Sequence, residues 1–244
     1  MSEQRNREPM ETSAVISNRE IKDCILVKDY TKSYFFMAAL TFVGGFLDIY
    51  TFLTRGHVFA NTQTTNLVSL GYYLTIGEFQ HLTQYLFPIL SCVLGGVVST
   101  LFMKYSKDVL HRKLLIFEIL VLIAIGFIED KQYNMIVNCT LSFITAYQLN
   151  MFRKYREYAH NTTIATGNLR QLGEFIANDI INYRAGLEKT SLKYASLLFM
   201  FFAGAIISTI STNILQEQSI WICGMLLFLI IVIGMRIEKR YKLA

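Results

Sequence analysis

The sequence predicts an all-α membrane protein with six transmembrane helices, arranged as a 3+3 inverted repeat in which each half carries a re-entrant or interfacial half-helix. Three observations predict this class. Hydrophobic residues make up 53% of the 244 residues and charged residues only 17%, with a mean hydropathy of +0.37. The apolar residues form blocks long enough to cross a bilayer, and the two halves of the chain share a polar motif. A water-soluble enzyme is excluded, because soluble domains carry about 25% charged residues.

The chain begins with a polar head, residues 1–32, which we expect in the cytoplasm with an interfacial helix starting near Ser17. The head contains no apolar core of the kind that a cleaved signal peptide needs, so the first span is expected to remain in the protein. Residues 33–131 form the first predicted membrane repeat. Residues 132–244 form the second, which ends in a short basic cytoplasmic tail.

Six apolar blocks have the length of membrane-spanning helices, about 20 residues. They comprise residues 33–53, 84–105, 112–129, 133–152, 191–213 and 219–236. Two further segments, 59–76 and 160–182, are more polar but also have helical patterning. Each of them is re-entrant, interfacial or fully spanning. Irregular backbone at membrane depth is tolerated only where protein or a water-filled cavity satisfies it. A re-entrant pair would therefore mark a site.

The basic residues orient the six-span arrangement. With the N-terminus inside, all but two of the 23 Lys and Arg residues, namely Arg55 and Lys131, lie on the inner side. Cytoplasmic loops collect Lys and Arg, and the bias is much weaker if all eight segments cross. We therefore expect a multi-pass protein of the cell (inner) membrane with both termini in the cytoplasm. The net charge of +5 then reflects topology, and nucleic acid is not an expected partner.

An internal repeat relates the two halves. A shift of 102 residues aligns TTNLVSLG at 64–71 with TGNLRQLG at 166–173, five of eight identical, and places Asp48 over Asn150. Each half contains three spans, an odd number, so the second half must be inverted relative to the first. Inverted repeats recur in transporters, with the substrate near the membrane midplane. Further along, Gly95-x-x-x-Ser99 aligns with an equivalent pair in the second half, and both predict close helix packing.

The same residues carry a family resemblance. The runs GGFLD at 44–48 and FANTQTTNL at 59–67, together with TGNL at 166–169, resemble the YoaK family of bacterial inner-membrane proteins, a domain of unknown function. The resemblance covers about residues 33–236 and implies a multi-pass bacterial membrane protein without an established substrate. The family pattern is Thr-Gly-Asn in the first half, where this chain has Thr65 in place of the glycine.

The candidate solute site consists of six polar residues near the two predicted re-entrant tips. They are Asp48, Thr64, Asn66, Asn150, Thr166 and Asn168. We expect Thr64 and Thr166 to be N-caps. Free N–H groups and the helix dipole at a buried N-terminus attract an anion, a carboxylate or a polar solute. Asn66 and Asn168 would face a ligand or cap the neighbouring loop. The alternative is that these side chains only satisfy broken backbone.

Two acidic residues lie inside predicted spans. Asp48 is either a proton or cation site, or a carboxylate that Arg55 holds or that caps the re-entrant loop. Asn150 at the mirrored position cannot titrate. We expect Glu118 to pair with Lys113 or Arg112 at the inner boundary rather than to form a second proton site.

The favoured function is a channel or secondary transporter for a small polar or anionic solute, bound between two Thr-x-Asn tips. The alternative is a non-transport membrane interaction or assembly protein. Expected partners are the lipid bilayer and a small-molecule solute, while protons and a second copy of the chain are left open. The sequence has no hydrolase or phosphate-loop signature, and its four cysteines show no paired spacing. We therefore expect no enzymatic activity, no catalytic residues, no metal and no cofactor.

Overall fold

The computed structural model describes residues 33–105, 110–152, 154–155, 158–159, 165–181 and 190–243. The eight α-helices in these ranges are α1 Tyr34–Thr54, α2 Gln63–Ile76, α3 Leu82–Tyr105, α4 Leu110–Ile125, α5 Asn134–Met151, α6 Ala165–Ile181, α7 Thr190–Leu215 and α8 Trp221–Leu243. Short 3-10 helices, Phe79–His81, Lys131–Tyr133 and Gln216–Ile220, precede α3, α5 and α8. The predicted all-α class is confirmed. The predicted polar head, residues 1–32, lies outside the described residues.

One small β-ribbon accompanies the helices. Strand β1, Lys154–Tyr155, pairs antiparallel with β2, Tyr158–Ala159, shortly before α6 begins. With two residues in each strand, the ribbon is a local turn feature and does not alter the helical class.

Three helical stretches in the described residues are long and apolar enough to cross a membrane. They are Tyr34–Thr54, Phe79–Lys104 and Ser191–Arg236. The third has 46 residues and includes both α7 and α8, which Gln216 separates with a positive φ of 50°. A single helix of that length would measure about 69 Å, roughly twice the hydrocarbon core. These stretches fit a membrane protein.

Burial differs sharply between α1 and α3. The apolar residues of α1 form the centre of the core, where Phe36 and Leu40 contribute with Leu115 of α4 and Leu227 of α8. In contrast, α3 exposes a row of large apolar side chains, namely Leu90, Val93, Leu94, Val97 and Leu101. An extensive apolar surface of this kind is typical of contact with a membrane or another protein.

The helices pack in defined pairs. Helix α1 lies along α7, α3 lies along α5, and α4 contacts α8, while α2 rests on α3 and α6 rests on α7. Glycines permit the two longest contacts. A β-carbon on Gly95 would overlap the carbonyl oxygen of Phe143 on α5, and one on Gly204 would overlap that of Phe42 on α1. The predicted close packing at these small residues is confirmed.

Candidate functional site

The connection between α1 and α2 is an irregular loop, residues 55–62, that folds back against the last turns of α1. Gly56 and His57 both have positive φ, 83° and 60°, and together they reverse the chain. Val58 and Ala60 in the loop are buried. The loop therefore places non-helical backbone inside the protein, where each main-chain polar group needs a protein partner.

Asp48 anchors this loop to α1. Its Oδ1 accepts hydrogen bonds from the main-chain N–H groups of Asn61 and Thr62, at 2.7 and 3.3 Å, and its Oδ2 accepts from Thr62 Oγ1 at 2.5 Å. Asn61 Nδ2 donates to the carbonyl of Gly44 at 2.8 Å. Since Thr62 immediately precedes α2, the Asp48 carboxylate lies at the positive end of that helix.

The expected N-cap of α2 is wrong by two residues. The helix begins at Gln63, so Thr62 occupies the cap position, and its side chain bonds to Asp48 rather than to a helix amide. Thr64 lies within the first turn of α2 and is exposed. Propensity alone favours either threonine as a cap, and the buried carboxylate on α1 decides between them.

Asn66 closes the loop from the other side. Its Nδ2 donates to the carbonyl of Phe59 at 2.7 Å and to Gln63 Oε1 at 2.9 Å, and its Oδ1 accepts from the N–H of Phe59 at 3.0 Å. Both main-chain polar groups of Phe59 are thereby satisfied. In this structure Asn66 caps the neighbouring loop, which is one of the two roles expected for it.

Sequence reasoning missed a further group of side chains that hold Ala60. Its N–H donates to Thr51 Oγ1 of α1 at 3.1 Å. Its carbonyl accepts from Gln63 Nε2 at 2.8 Å and from Thr145 Oγ1 of α5 at 3.5 Å, and Gln63 Nε2 also donates to Ser142 Oγ. Thr51 follows Asp48 by one helical turn, and that spacing within an apolar span was the available signal.

The second half is described only in part around its own tip. Residues 160–164 and the side chain of Thr166 lie outside the described residues, and Thr166 is the second residue of α6. Asn168 is buried on α6. Asn150 donates to Ser99 Oγ at 2.8 Å and to the carbonyl of Gly96 at 3.2 Å, both on α3. The structure thus brings Asp48 and Asn66 to one loop and places Asn150 at a helix contact.

Arg55 does not pair with Asp48, contrary to one of the alternatives for that carboxylate. The guanidinium is fully buried, and its Nη2 donates to Tyr50 Oη at 2.7 Å and to the carbonyl of Ile125 at 3.4 Å. Its Nη1 donates to Asn134 Oδ1 at 3.5 Å. Arg55 therefore lies where α1 and α4 end, and a cation is favourable at the C-termini of helices.

Glu118 also differs from expectation. It is fully buried on α4, and Gln148 Nε2 of α5 donates to its two carboxylate oxygens at 3.1 and 3.0 Å. The expected pairing with Lys113 or Arg112 is wrong, because both hydrogen bonds of Glu118 come from α5 and Lys113 is exposed. The direction of the Glu118 side chain, into the bundle rather than along it, is the physical cause.

The described residues form an apolar cavity of about 660 Å³ between α1, α7 and α8. Its walls include Phe35, Phe42, Met200, Met225 and Leu229, and Asp48 is not among them. Within the described ranges no group of three or more His, Cys, Asp or Glu side chains is placed to hold a metal ion. The hydrogen bonds of Asp48 therefore lie apart from this apolar cavity.

A family model described as "Protein of unknown function (DUF1275)" matches residues 36–233. The match supports an uncharacterised domain family, as the resemblance implied, and no named relative bears on the YoaK-like identification. Neither the curated proteins nor the solved structures contain a match to the chain.

Proposed function

We propose that the chain, which belongs to this family of unknown function because the match covers most of its length, is a six-span transporter of the bacterial inner membrane. Residues 33–131 and 132–244 are its two inverted halves, and both termini lie in the cytoplasm. The lipid bilayer surrounds its apolar helix faces, and its cargo is a small polar solute. The proposal retains the YoaK-like setting inferred from the sequence.

The pattern of helix pairs is the observation that carries the proposal. When the two halves are exchanged, α1 with α7 corresponds to α5 with α3, and α2 with α3 corresponds to α6 with α7. The contact of α4 with α8 corresponds to itself, and α1 with α8 corresponds to α5 with α4. Gly95 and Gly204 make equivalent close contacts. Such a relation is expected of an inverted repeat, a recurrent architecture of secondary transporters.

The lengths of the helices support six spans. The stretch Ser191–Arg236 contains two helices, and we assign it two crossings, in addition to one each for α1 and α3. We assign the remaining two crossings to α4 and α5, which have 16 and 18 described residues. Helix α4 exposes Phe117 and Leu120, as expected of a helix that faces lipid on one side.

The proposed solute path passes the loop that Asp48 anchors. Because the loop is closed in this structure, solute can pass only if the bonds from Asp48 to Asn61 and Thr62 break. The Asp48 carboxylate already occupies the positive end of α2, so a second negative charge there is unfavourable. We therefore favour a neutral polar or cationic solute over an anion at this tip.

Uptake into proteoliposomes tests the proposal. The probes are radiolabelled glycerol, urea, glycine and alanine, and protein-free liposomes set the baseline. We expect uptake of at least one probe above this baseline. Asp48→Asn should lower it by about tenfold or more, because the passing solute then loses a hydrogen bond to a charged group, which costs about 1.5–3 kcal/mol.

Asp130→Asn is the matched control, because it makes the same chemical change at an exposed position outside the helices. This variant should transport like the wild type. Equal uptake by the Asp48→Asn and Asp130→Asn variants, both monodisperse on size exclusion, would remove Asp48 from the site.

A membrane interaction or assembly protein is the second candidate function, and one observation favours it. Both carboxamide atoms of Asn66 and both carboxylate oxygens of Asp48 are bonded within the loop. A loop satisfied in this way needs no solute and can complete a packed bundle by itself. Under this alternative, the wild-type protein shows no uptake of any probe above the baseline.

A further inference from the structure

Glu118 is a buried carboxylate that the proposed solute path does not use. None of its surface is exposed, and Gln148 provides both of its hydrogen bonds. Of the ion pairs formed among the described residues, none includes Glu118. An ionised carboxylate without a cationic partner is costly in an apolar interior, and such groups usually become neutral instead.

The contrast with Asp48 is chemical. Asp48 accepts hydrogen bonds from two main-chain N–H groups and one hydroxyl group, and these three donors use both of its carboxylate oxygens. Glu118 accepts from a single amide nitrogen. Protonation therefore affects the two buried acids differently. A proton on Asp48 would break a hydrogen bond that the carboxylate accepts from the loop, whereas a proton on Glu118 would break no hydrogen bond to the main chain.

Gln148 has an acceptor that matches this proton. Its Oε1 is buried and has no hydrogen-bond partner among the described residues. If Glu118 carries a proton, its O–H can donate to Gln148 Oε1 while Gln148 Nε2 donates to the other carboxyl oxygen. The terminal torsions of both side chains are soft enough to allow this rearrangement. Protonation of Glu118 thus provides a donor for Gln148 Oε1 and at the same time removes the buried negative charge.

In the part of the chain that the structure describes, no cationic side chain acts on Glu118. Helix α8, helix α5 and the 3-10 helix Gln216–Ile220 pack against α4. The titratable side chains that these elements carry include Cys223 and Arg236 on α8, Cys139 and Tyr147 on α5, and Glu217 on the 3-10 helix. Cys223, which is fully buried, lies close enough to interact electrostatically with Glu118. A thiol carries no positive charge and cannot compensate a carboxylate, so within the described residues Glu118 has no cationic partner.

We propose that Glu118 and Gln148 form a proton-binding site between the two halves of the protein, in which Glu118 carries the proton and Gln148 orients it. Glu118 belongs to α4 of the first half and Gln148 to α5 of the second. Loss of the proton leaves a charge at this contact, so α4 and α5 must separate or admit water. Proton occupancy thereby favours one relative position of the halves. This coupling role rests on the proposed transport function, whereas proton binding itself does not.

Infrared difference spectroscopy of the purified protein in lipid, recorded between low and high pH, tests the proton site directly. The wild type should show a carboxylic-acid C=O band that disappears as pH rises. Glu118→Gln, which mimics the neutral acid in shape, should lack this band, and Asp48→Asn should retain it. Gln148→Leu should retain the band at a higher frequency, because the C=O group has lost its hydrogen-bond donor.

Identical spectra for the wild type and the Glu118→Gln variant would overturn the proposal. Replacing choline chloride by NaCl at fixed pH should leave the band unchanged, and a loss of the band would assign the site to Na⁺ instead. Glu118→Asp serves as a second variant that keeps the acid if Glu118→Gln fails to fold. A merely structural role for Gln148 would leave the band frequency unchanged in Gln148→Leu.

The coupling role has a separate measurement. Proteoliposomes containing a trapped pH dye are exposed to whichever probe solute the wild type accumulates. We expect solute entry to move protons in the wild type and not in Glu118→Gln. Equal proton movement in both proteins would refute coupling and leave the infrared result standing. If no probe enters at all, the transport proposal fails, and the spectra alone decide the proton site.

Discussion

Asn66 is a single side chain that satisfies both main-chain polar groups of Phe59 in a buried loop. Asp48 does the same for the N–H groups of Asn61 and Thr62. An amide group buried without a hydrogen bond costs several kcal/mol, and the bilayer offers no water to replace the missing partner. Two polar residues that are unfavourable in an apolar setting are therefore required for the loop to exist.

Replacing Asn66 by alanine should destabilise the protein by about 2–4 kcal/mol, because it leaves the N–H and C=O groups of Phe59 unsatisfied, each at about 1–3 kcal/mol. Thr64→Ala, an exposed position in the same helix, should change stability by less than about 0.5 kcal/mol. Thermal unfolding in detergent micelles measures both. A small effect of Asn66→Ala would mean that water or lipid headgroups reach the loop.

At the scale of elements, the helix contacts depend on residues without side chains. Gly95 brings α3 against α5, and Gly204 brings α7 against α1, with backbone touching backbone. In a membrane, helix association relies on close van der Waals packing, because lipid tails are as apolar as the helices. The other glycines that the repeat aligns, Gly71 and Gly173, face open space.

This difference predicts opposite effects for one substitution. Gly95→Ala and Gly204→Ala should each destabilise the protein by about 1–3 kcal/mol, since the added methyl group overlaps a facing carbonyl and forces the helices apart. Gly71→Ala and Gly173→Ala should be neutral or stabilising by up to about 1 kcal/mol, because alanine favours the helix. Denaturant unfolding of the four variants gives the comparison. Equal effects at all four positions would contradict the close contacts.

At the scale of the whole molecule, the direction of each half matters. The proposed arrangement requires the loop before α3, near Glu78, to lie outside, and likewise the turn at Asp130 that precedes α5. It also requires the connection between α3 and α4, which contains Lys107, to lie inside. These three positions together define an inverted pair of halves.

Cysteine labelling in intact cells tests this topology. In a background without the four native cysteines, Glu78→Cys and Asp130→Cys should react with a membrane-impermeant maleimide from outside. Lys107→Cys should react only after permeabilisation. If Glu78→Cys also reacts only after permeabilisation, α2 crosses the bilayer and the inverted repeat is lost.

Much of the helical framework is predictable from local patterns. The apolar block at 33–53 corresponds to α1, Tyr34–Thr54, and the segment at 59–76 contains α2. The close packing at Gly95 was also predictable, because small residues one turn apart in an apolar helix allow a second helix to approach closely. The candidate site was predictable only as a list of polar residues: Asp48 and Asn66 share a loop, whereas Asn150 bonds to α3.

The sequence alone determined an all-helical chain with a membrane-protein composition, through its apolar blocks, its distribution of Lys and Arg and its repeated polar motif. Local patterns suffice for this, because hydropathy and helix length are properties of contiguous residues. Only the tertiary structure decided how the buried polar groups are paired. Asp48 bonds to the loop between α1 and α2 instead of to Arg55, and Glu118 bonds to the amide of Gln148, 30 residues away, instead of to a neighbouring lysine. The physical reason is that a buried side chain bonds to whichever backbone or side chain the helix crossings bring beside it, and those crossings depend on the packing of the whole bundle.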